Sequence, residues 1–164
     1  MTFLYCKHQI ILRPARPGDG KKLAPLLRAE DRAELAASHP GENPADLLES
    51  FIRRSRESFF ILRYGRPAAL FGISAPGWFS LRACVWFLTG NEAAKMPISL
   101  VRIGRASVKR FLTLYPELYN FTDERYPAAL RFIKRLGGRF DGSSKTCGNV
   151  RFLYFTFRRN SWEE

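Results

Sequence analysis

Histidine, methionine and cysteine are scarce in this 164-residue sequence, with two, two and three copies. Cys6, Cys84 and Cys147 lie far apart. An odd, scattered set excludes a disulfide framework and fits a reducing compartment. No Cys or His pair has zinc spacing, so no metal is expected. His8 and His39 are isolated and read as structural or solvent-facing. Long apolar runs are also missing: none approaches the roughly 20 residues a membrane helix needs. The stretch 1–11 is interrupted by Lys7 and His8 and lacks a small-residue cleavage site, so it does not read as a signal peptide. Without repeats, low-complexity tracts or a dividing linker, the expected organisation is one domain over residues 1–159 and a short tail over 160–164. Acidic residues are the last deficit. Fifteen Asp and Glu face 27 Lys and Arg, a net charge of +12. Arginine supplies most of it, and guanidinium forks suit an acidic or phosphorylated partner. Apolar residues make up 46% of the chain and aromatics 14%, ample for a core.

Punctuation and periodicity then set the order of elements. A strand is predicted at 8–13, broken by Pro14, Pro17 and Gly18. Asp19 caps a helix reaching about residue 37, with Leu23, Leu26 and Leu27 on its buried side. A turn through His39, Pro40, Gly41 and Asn43 leads into a helix opened by Pro44, with Leu47, Leu48, Phe51 and Ile52 at helical spacing. Strands at 58–64 and 67–74 flank Gly65-Arg66 as a two-residue hairpin. A strand at 81–88 and a loop at 89–96 precede a helix from Pro97 to Tyr115. Its apolar side carries Val101, Val108, Phe111, Leu112 and Tyr115, and Gly104 marks a close approach. A short strand at 118–122 follows. The last helix opens at Pro127, turns Ala129, Phe132, Ile133 and Leu136 inward, and ends on Gly137 as a left-handed cap. The final strand spans 149–158, with a further short one at 139–141. The order is β-α-α-β-β-β-α-β-α-β.

That order resembles the GNAT N-acetyltransferase fold. Two segments carry the likeness: Ile11-Leu12-Arg13-Pro14-Ala15-Arg16-Pro17-Gly18-Asp19, and Tyr126-Pro127-Ala128-Ala129-Leu130-Arg131-Phe132-Ile133-Lys134-Arg135-Leu136-Gly137-Gly138. The resemblance implies an α+β fold with a central, mixed, mostly antiparallel sheet flanked by helices. Further segments are Trp86-Phe87-Leu88-Thr89-Gly90, Met96-Pro97-Ile98 and Leu114-Tyr115-Pro116-Glu117-Leu118-Tyr119-Asn120. With the last helix, these are similar to a GNAT-like family of tailed phages that includes the internal virion protein A of podoviruses. This second resemblance implies a role in virion assembly or genome ejection, with virion proteins or DNA as partners. It places the protein in the host cytoplasm during assembly and in the virion.

A GNAT enzyme holds the acetyl-CoA pyrophosphate on backbone amides at a helix start, in a Gln/Arg-x-x-Gly-x-Gly/Ala sequence. Residues 90–99 hold a single glycine, Gly90, at the far end. Glu92 adds negative charge there, and Pro97 removes an N–H. Lys95 and Arg102 compensate in part, so the candidate cofactor contacts are Gly90, Lys95, Ile98, Ser99 and Arg102. The family's asparagine is Tyr126 here, and its thiolate-protonating tyrosine is Ile133, which has no proton to give. No catalytic residue is assigned: Tyr126 is a candidate acid that beside Pro127 reads rather as a packing residue, and Glu92, Asp123 and Glu124 are candidate bases that read rather as solvated loop carboxylates. The expectation is a noncatalytic or weakly active scaffold with no cofactor, or acetyl-CoA if active. Two alternatives stay open: an active acetyl-CoA-dependent N-acetyltransferase with a divergent cofactor loop, and a nonspecific nucleic-acid binder.

Arg102, Arg105 and Lys109 form a stripe on one helix. Arg131, Lys134 and Arg135 form another on the last helix, with Arg139 just beyond. Either stripe alone reads as a solvated face; together they are the candidate anion or partner site. Arg53-Arg54-Ser55-Arg56 and Arg158-Arg159 add charge elsewhere. Cys84 reads as a small core residue, and Cys6 and Cys147 as inert thiols. Trp78-Phe79 in a Gly/Pro-rich loop reads either as core capping or as an exposed binding patch, and Trp162 either docks or trails.

Overall fold

A computed structural model describes residues 5–7 and 9–161. Met1–Ser74 with Trp86–Met96 forms one compact unit; Ala75–Val85 with Pro97–Glu164 forms the other. In the N-terminal unit the strands β1 (Tyr5–Lys7), β2 (Ile10–Pro14), β3 (Glu57–Arg63) and β4 (Arg66–Ser74) pair antiparallel in that order. β1, three residues long, is too short for a periodicity to show in the sequence. The strand predicted at 8–13 begins at Ile10, and His8 lies outside the described residues. β2 alternates between buried and exposed positions up to Leu12, as a strand with one covered face does. β4 is buried at six successive residues, Ala68 to Ile73, so both its faces are covered. The β3–β4 turn is Tyr64-Gly65, one residue earlier than predicted. Both have positive φ, 48° and 73°, the requirement of a type I′ turn.

The single helix predicted from Asp19 is two. α1 (Asp19–Leu23) gives way to a 3-10 turn over Ala24–Leu26, and α2 (Ala29–Ser38) follows. Pro25 supplies the break, since it has no N–H to continue an α-helical ladder. Leu26 consequently lies 39% exposed rather than on the buried side, whereas Leu23 and Leu27 are buried. α3 (Pro44–Arg54) starts as predicted, with the Asn43 side chain accepting from the Ala45 and Asp46 amides. These helices contribute Leu23, Leu27, Leu35, Leu47 and Leu48 to a core shared with Phe60, Leu70, Trp86 and Leu88. The buried Trp86 indole satisfies its N–H on Ser55 Oγ at 2.8 Å.

β5 (Arg82–Thr89) belongs to the C-terminal unit as far as Val85 and to the N-terminal unit from Trp86. In the C-terminal unit it pairs parallel with β6 (Glu117–Asp123) at Arg82, Ala83 and Cys84, opposite Glu117, Leu118 and Tyr119. At the next residue the Asn120 side-chain amide donates to the Val85 carbonyl at 2.8 Å. β6 also pairs antiparallel with β8 (Val150–Arg158), which pairs with β7 (Arg139–Cys147). The strand predicted at 139–141 is thus three times longer, interrupted by a bulge between Phe140 and Ser144 where Gly142 has φ 88°. α4 (Pro97–Leu114) lies against β6 and β8. α5 (Pro127–Arg135) ends with Gly137 at φ 92° and the Gly138 N–H bonded to the Ile133 carbonyl, a Schellman cap. A Cβ on Gly104 would sit 2.8 Å from Leu136 Cδ2, so its missing side chain is what lets the two helices meet.

Candidate functional site

The predicted cofactor and catalytic residues divide between the units. Gly90, Glu92 and Lys95 fall in the N-terminal unit; Ile98, Ser99, Arg102 and Tyr126 fall in the C-terminal one.

In the N-terminal unit the backbone around Gly90 is committed. Its N–H donates to the Ala68 carbonyl at 2.7 Å, and the residue bridges to Leu27. A Cβ there would stand 3.0 Å from Leu23 Cδ1 and 3.1 Å from the Leu26 carbonyl, so the glycine serves packing. Next to it, the Thr89 carbonyl accepts from the Arg28 amide at 3.0 Å. Thr89 in turn donates to the Asp31 carboxylate from its amide at 3.2 Å and from its hydroxyl at 2.7 Å. Burial pushes the Asp31 carboxyl above the usual range, and the two bonds from Thr89 only partly oppose it.

Glu92, in the 3-10 turn Asn91–Lys95, is nearly buried and touches three cations: Lys95 Nζ at 2.9 Å, Arg63 at 3.1 Å and Arg66 at 3.5 Å. The hydrogen bond from Lys95, then that from Arg63, hold its pKa below the ordinary glutamate value. A carboxylate so stabilised as the anion is a poor proton acceptor near neutral pH. Lys95 spends its ammonium on the same contact.

In the C-terminal unit the basic candidates face solvent. Ile98 is 70% exposed in the first turn of α4, where the leading amides have no intrahelical acceptor. Ser99 is half-buried, and Arg102, Arg105 and Lys109 are exposed along the helix. Among the described residues neither Arg102 nor Lys109 takes part in an ion pair. On α5, Arg131, Lys134 and Arg135 are exposed, and Lys134 Nζ stands 5.9 Å from the Phe140 ring centroid. Tyr126 is the residue preceding α5. It is half-buried, and its ring lies under the Arg125 guanidinium at 5.4 Å. The other acidic candidates are engaged. Asp123 is fully buried and accepts from Arg125 at 2.6 Å, and Glu124 pairs with Arg151 at 3.5 Å. Ile133 is buried, and its Cγ2 is the atom a Cβ on Gly138 would meet.

The remaining candidates sort by environment. His39 meets the Phe51 ring edge-on at 5.7 Å and shares a hydrogen bond with Ser38 Oγ, a structural setting. Burial pushes the Cys84 thiol up, with Lys145 only partly opposing, so little of it is the nucleophilic thiolate. Trp78 and Phe79 are 98% and 99% exposed and cap no core. Trp162 lies outside the described residues, and nothing is described of the Cys6 side chain.

Three features escaped the sequence reading. One is the Asp31–Thr89 clasp, joining residues 58 apart. The second is the Asn120 stitch, for which the sequence offers no signal. The third is an aromatic strip on one face of β6 and β8. Phe121 lies 5.1 Å from Tyr154, Lys145 Nζ lies 4.2 Å from the Phe121 centroid, and Arg82 lies 4.5 Å from that of Tyr119. Alternation of Tyr119 and Phe121 along β6 was the available signal.

No protein-family model matches the chain, and no curated protein matches it in sequence. Solved structures do. The ribosomal-protein-S5-alanine acetyltransferase from Vibrio fischeri superposes with a TM-score of 0.71 at 12% identity, covering 98% of this chain and 99% of that one. An acetyltransferase of the GNAT family from Bacillus anthracis gives 0.68 at 9% identity over 96% and 98%. AAC(6')-Ib, solved in complex with ribostamycin and coenzyme A, gives 0.65 at 17% identity over 95% and 97%. The chain therefore has the α+β GNAT fold, with a mixed, mostly antiparallel central sheet flanked by helices.

Proposed function

We propose that this protein is an acetyl-CoA-dependent N-acetyltransferase whose cofactor phosphates are held by side-chain cations rather than by a glycine loop. One observation carries the reading: α4 offers exposed Arg102 and Lys109, free of ion pairs among the described residues, beyond a first turn whose amides lack intrahelical acceptors. Guanidinium and ammonium groups supply the charge that a glycine-rich turn supplies through backbone dipoles. The coenzyme-bound structure among its structural neighbours fits the same reading. In the reaction, the acceptor amine attacks the thioester carbonyl, the C–S bond breaks, the amine loses a proton and the departing thiolate gains one. Tyr126 carries the one hydroxyl among the candidates for that second transfer. Because Glu92, Asp123 and Glu124 are all held by cations, the acceptor must enter as the free amine or lose its proton to water, so turnover rises with pH toward the acceptor's own pKa.

Calorimetric titration with acetyl-CoA at low salt tests the reading. Micromolar binding that weakens about tenfold in Arg102→Ala is expected, the effect of removing one charge-assisted hydrogen bond. Heat absent at millimolar cofactor rejects the enzyme. A second reading, a noncatalytic GNAT scaffold acting on virion proteins or DNA in the host cytoplasm and virion, is favoured by where the charge lies. The C-terminal unit holds 14 Lys and Arg against 6 Asp and Glu, and the N-terminal unit 13 against 9. Under that reading duplex DNA binds with a steep salt dependence and acetyl-CoA does not compete.

A further inference from the structure

The segment 75–81 joins β4 to β5 and reads Ala-Pro-Gly-Trp-Phe-Ser-Leu. In a chain where 26% of residues are charged, it contains no charge. Trp78 is 98% exposed, Phe79 99% and Leu81 71%. Large apolar side chains left this bare cost free energy in water, and three together within four residues mark a contact surface. Ser80 fixes the exit of the loop. Its hydroxyl donates to the Arg82 carbonyl at 2.7 Å and accepts from the Arg82 amide at 3.2 Å. The apolar tip is thus tied to the first residue of β5.

What surrounds that strand end decides the occupant. Arg82 lies opposite Glu117, and Glu117 opposite Arg158, in one row across the sheet. Two residues along β8, Thr156 lies opposite Arg139. The Arg82 and Arg158 side chains are 48% and 67% exposed, whereas Glu117 is 19% exposed and is shared between them at 2.5 and 2.8 Å. Arg159 follows at the end of β8. Its guanidinium turns away onto the Leu112 carbonyl at 2.7 Å, which leaves three arginines, Arg82, Arg139 and Arg158, beside two carboxylates, Glu117 and Asp141. Asp141 is itself held ionised by the Ser143 amide and by the nearby Arg158. An uncharged tip bearing Trp, Phe and Leu, backed by a cationic rim, has the two parts an anionic bilayer surface accepts. The aromatics sit at the headgroup–acyl boundary and the arginines meet lipid phosphates. A base-stacking nucleic-acid site fits less well, because Leu81 offers no π-face and the loop itself carries no cation for the backbone. No helix of the described residues is long and apolar enough to cross a membrane, so the contact is peripheral.

We infer that the loop 75–81, with Arg82, Arg158 and Arg139 behind it, docks this protein reversibly onto anionic lipid surfaces. The inference is independent of acetyl transfer. The test is flotation with vesicles of phosphatidylcholine containing about 30% phosphatidylglycerol, against pure phosphatidylcholine, at low and physiological salt. Tryptophan emission is followed in a Trp162→Phe background, where buried Trp86 is the only other indole. Expected are binding to the anionic vesicles, a blue shift, and quenching by brominated acyl chains. The Trp78→Ala/Phe79→Ala pair should bind about tenfold more weakly or worse, since the apolar area that enters the bilayer is removed. Both residues are bare, so folding is unaffected, and thermal unfolding of the variant checks this. Several outcomes overturn the inference: no flotation at low salt, equal binding by the double variant, or a blue shift given instead by an oligonucleotide or by self-association at high protein concentration.

Discussion

The two units spend their charges differently. In the N-terminal unit the acidic groups close onto cations and backbone amides. Asp19, fully buried, accepts from both guanidinium nitrogens of Arg13 at 2.7 and 2.9 Å and from the Arg16 amide at 2.7 Å. Glu49 takes the Gly18 and Lys21 amides at the start of α1, and Glu92 gathers Arg63, Arg66 and Lys95. The C-terminal unit has a larger positive excess, +8 against +4, and leaves much of it facing water on α4 and α5. Its edge strand β7 is exposed at seven of nine positions, and its loop holds Trp78 and Phe79 bare. Both units clasp their buried carboxylates, Asp123 on Arg125 as Asp19 on Arg13; they differ in the exposed cations that remain, which are more numerous in the C-terminal unit.

That contrast can be broken most sharply at Asp19. Asp19→Ala strands the Arg13 guanidinium, and removing one member of a buried pair costs about 3–5 kcal/mol. The matching change in the C-terminal unit, Glu117→Ala, severs two exposed arginines and should cost about 1 kcal/mol or less. Denaturant unfolding of both variants gives the comparison, and equal losses would erase it.

Gly104→Val tests the C-terminal unit's own packing. The added atoms meet Leu136 and Phe132, and overpacking of this kind costs about 1–3 kcal/mol. Thermal unfolding reads it, and an unshifted midpoint would mean that α5 yields freely.

Acid titration separates two carboxylates within the N-terminal unit. Burial pushes Asp19 up, but the Arg13 hydrogen bond, the Arg16 amide and the nearby charges outweigh it and leave the pKa lowered. Its contribution is complete above the unfolded value of about 3.9 and disappears as pH falls through the lower folded value. Asp31 has the opposite sign. Its folded pKa is raised, so the folded state binds the proton first, and stability drops as pH climbs from about 3.9 through the raised value. Asp31→Asn should therefore gain on the wild type as pH rises from about 3.9 through the raised value, whereas Asp19→Asn should lose ground only below about 3.9, as pH rises from the lowered value, and stay level above it. Unfolding midpoints followed from acid to neutral pH show both, and parallel curves would contradict the assignment.

The smallest effect on stability belongs to the joint neutralisation of Arg131, Lys134 and Arg135, about 0.5 kcal/mol per site or less, because all three are exposed. Its effect on ligand binding is larger. Affinity for a phosphate-bearing partner should fall, and the salt slope should become shallower by roughly one for each phosphate the stripe no longer neutralises. An unchanged isotherm would make this stripe a solvated surface and leave α4 as the anion site.

The architecture was readable because it follows from local rules. Pro44, Pro97 and Pro127 open helices, Gly137 ends one, and the apolar stripes of α3, α4 and α5 repeat at helical spacing. Where the reading slipped, a local exception won. Pro25 divides a run that looked continuous, and Tyr64 takes the positive φ assigned to the pair after it. The site was less legible, because its chemistry depends on partners distant in sequence. Nothing near Glu92 announces Arg63, 29 residues away, and nothing near Thr89 announces Asp31. A charged residue reads the same whether it is solvated or clasped. Only the fold distinguishes the spent Lys95 from the available Arg102.

The short parallel ladder between β5 and β6 has a consequence for synthesis. The β3–β4 and β7–β8 hairpins close over turns of two residues, but Arg82 meets Glu117 only after 35 residues have been added. At about 5–20 residues per second, the first half of β5 waits roughly 2–7 s on the ribosome for its β6 partner. Its uncharged neighbours from Ala75 to Leu81 wait with it. That interval is when a nascent chain is open to chaperones, or to pairing with the wrong strand. The arginine at position 82 is then the one charge guarding the segment against aggregation.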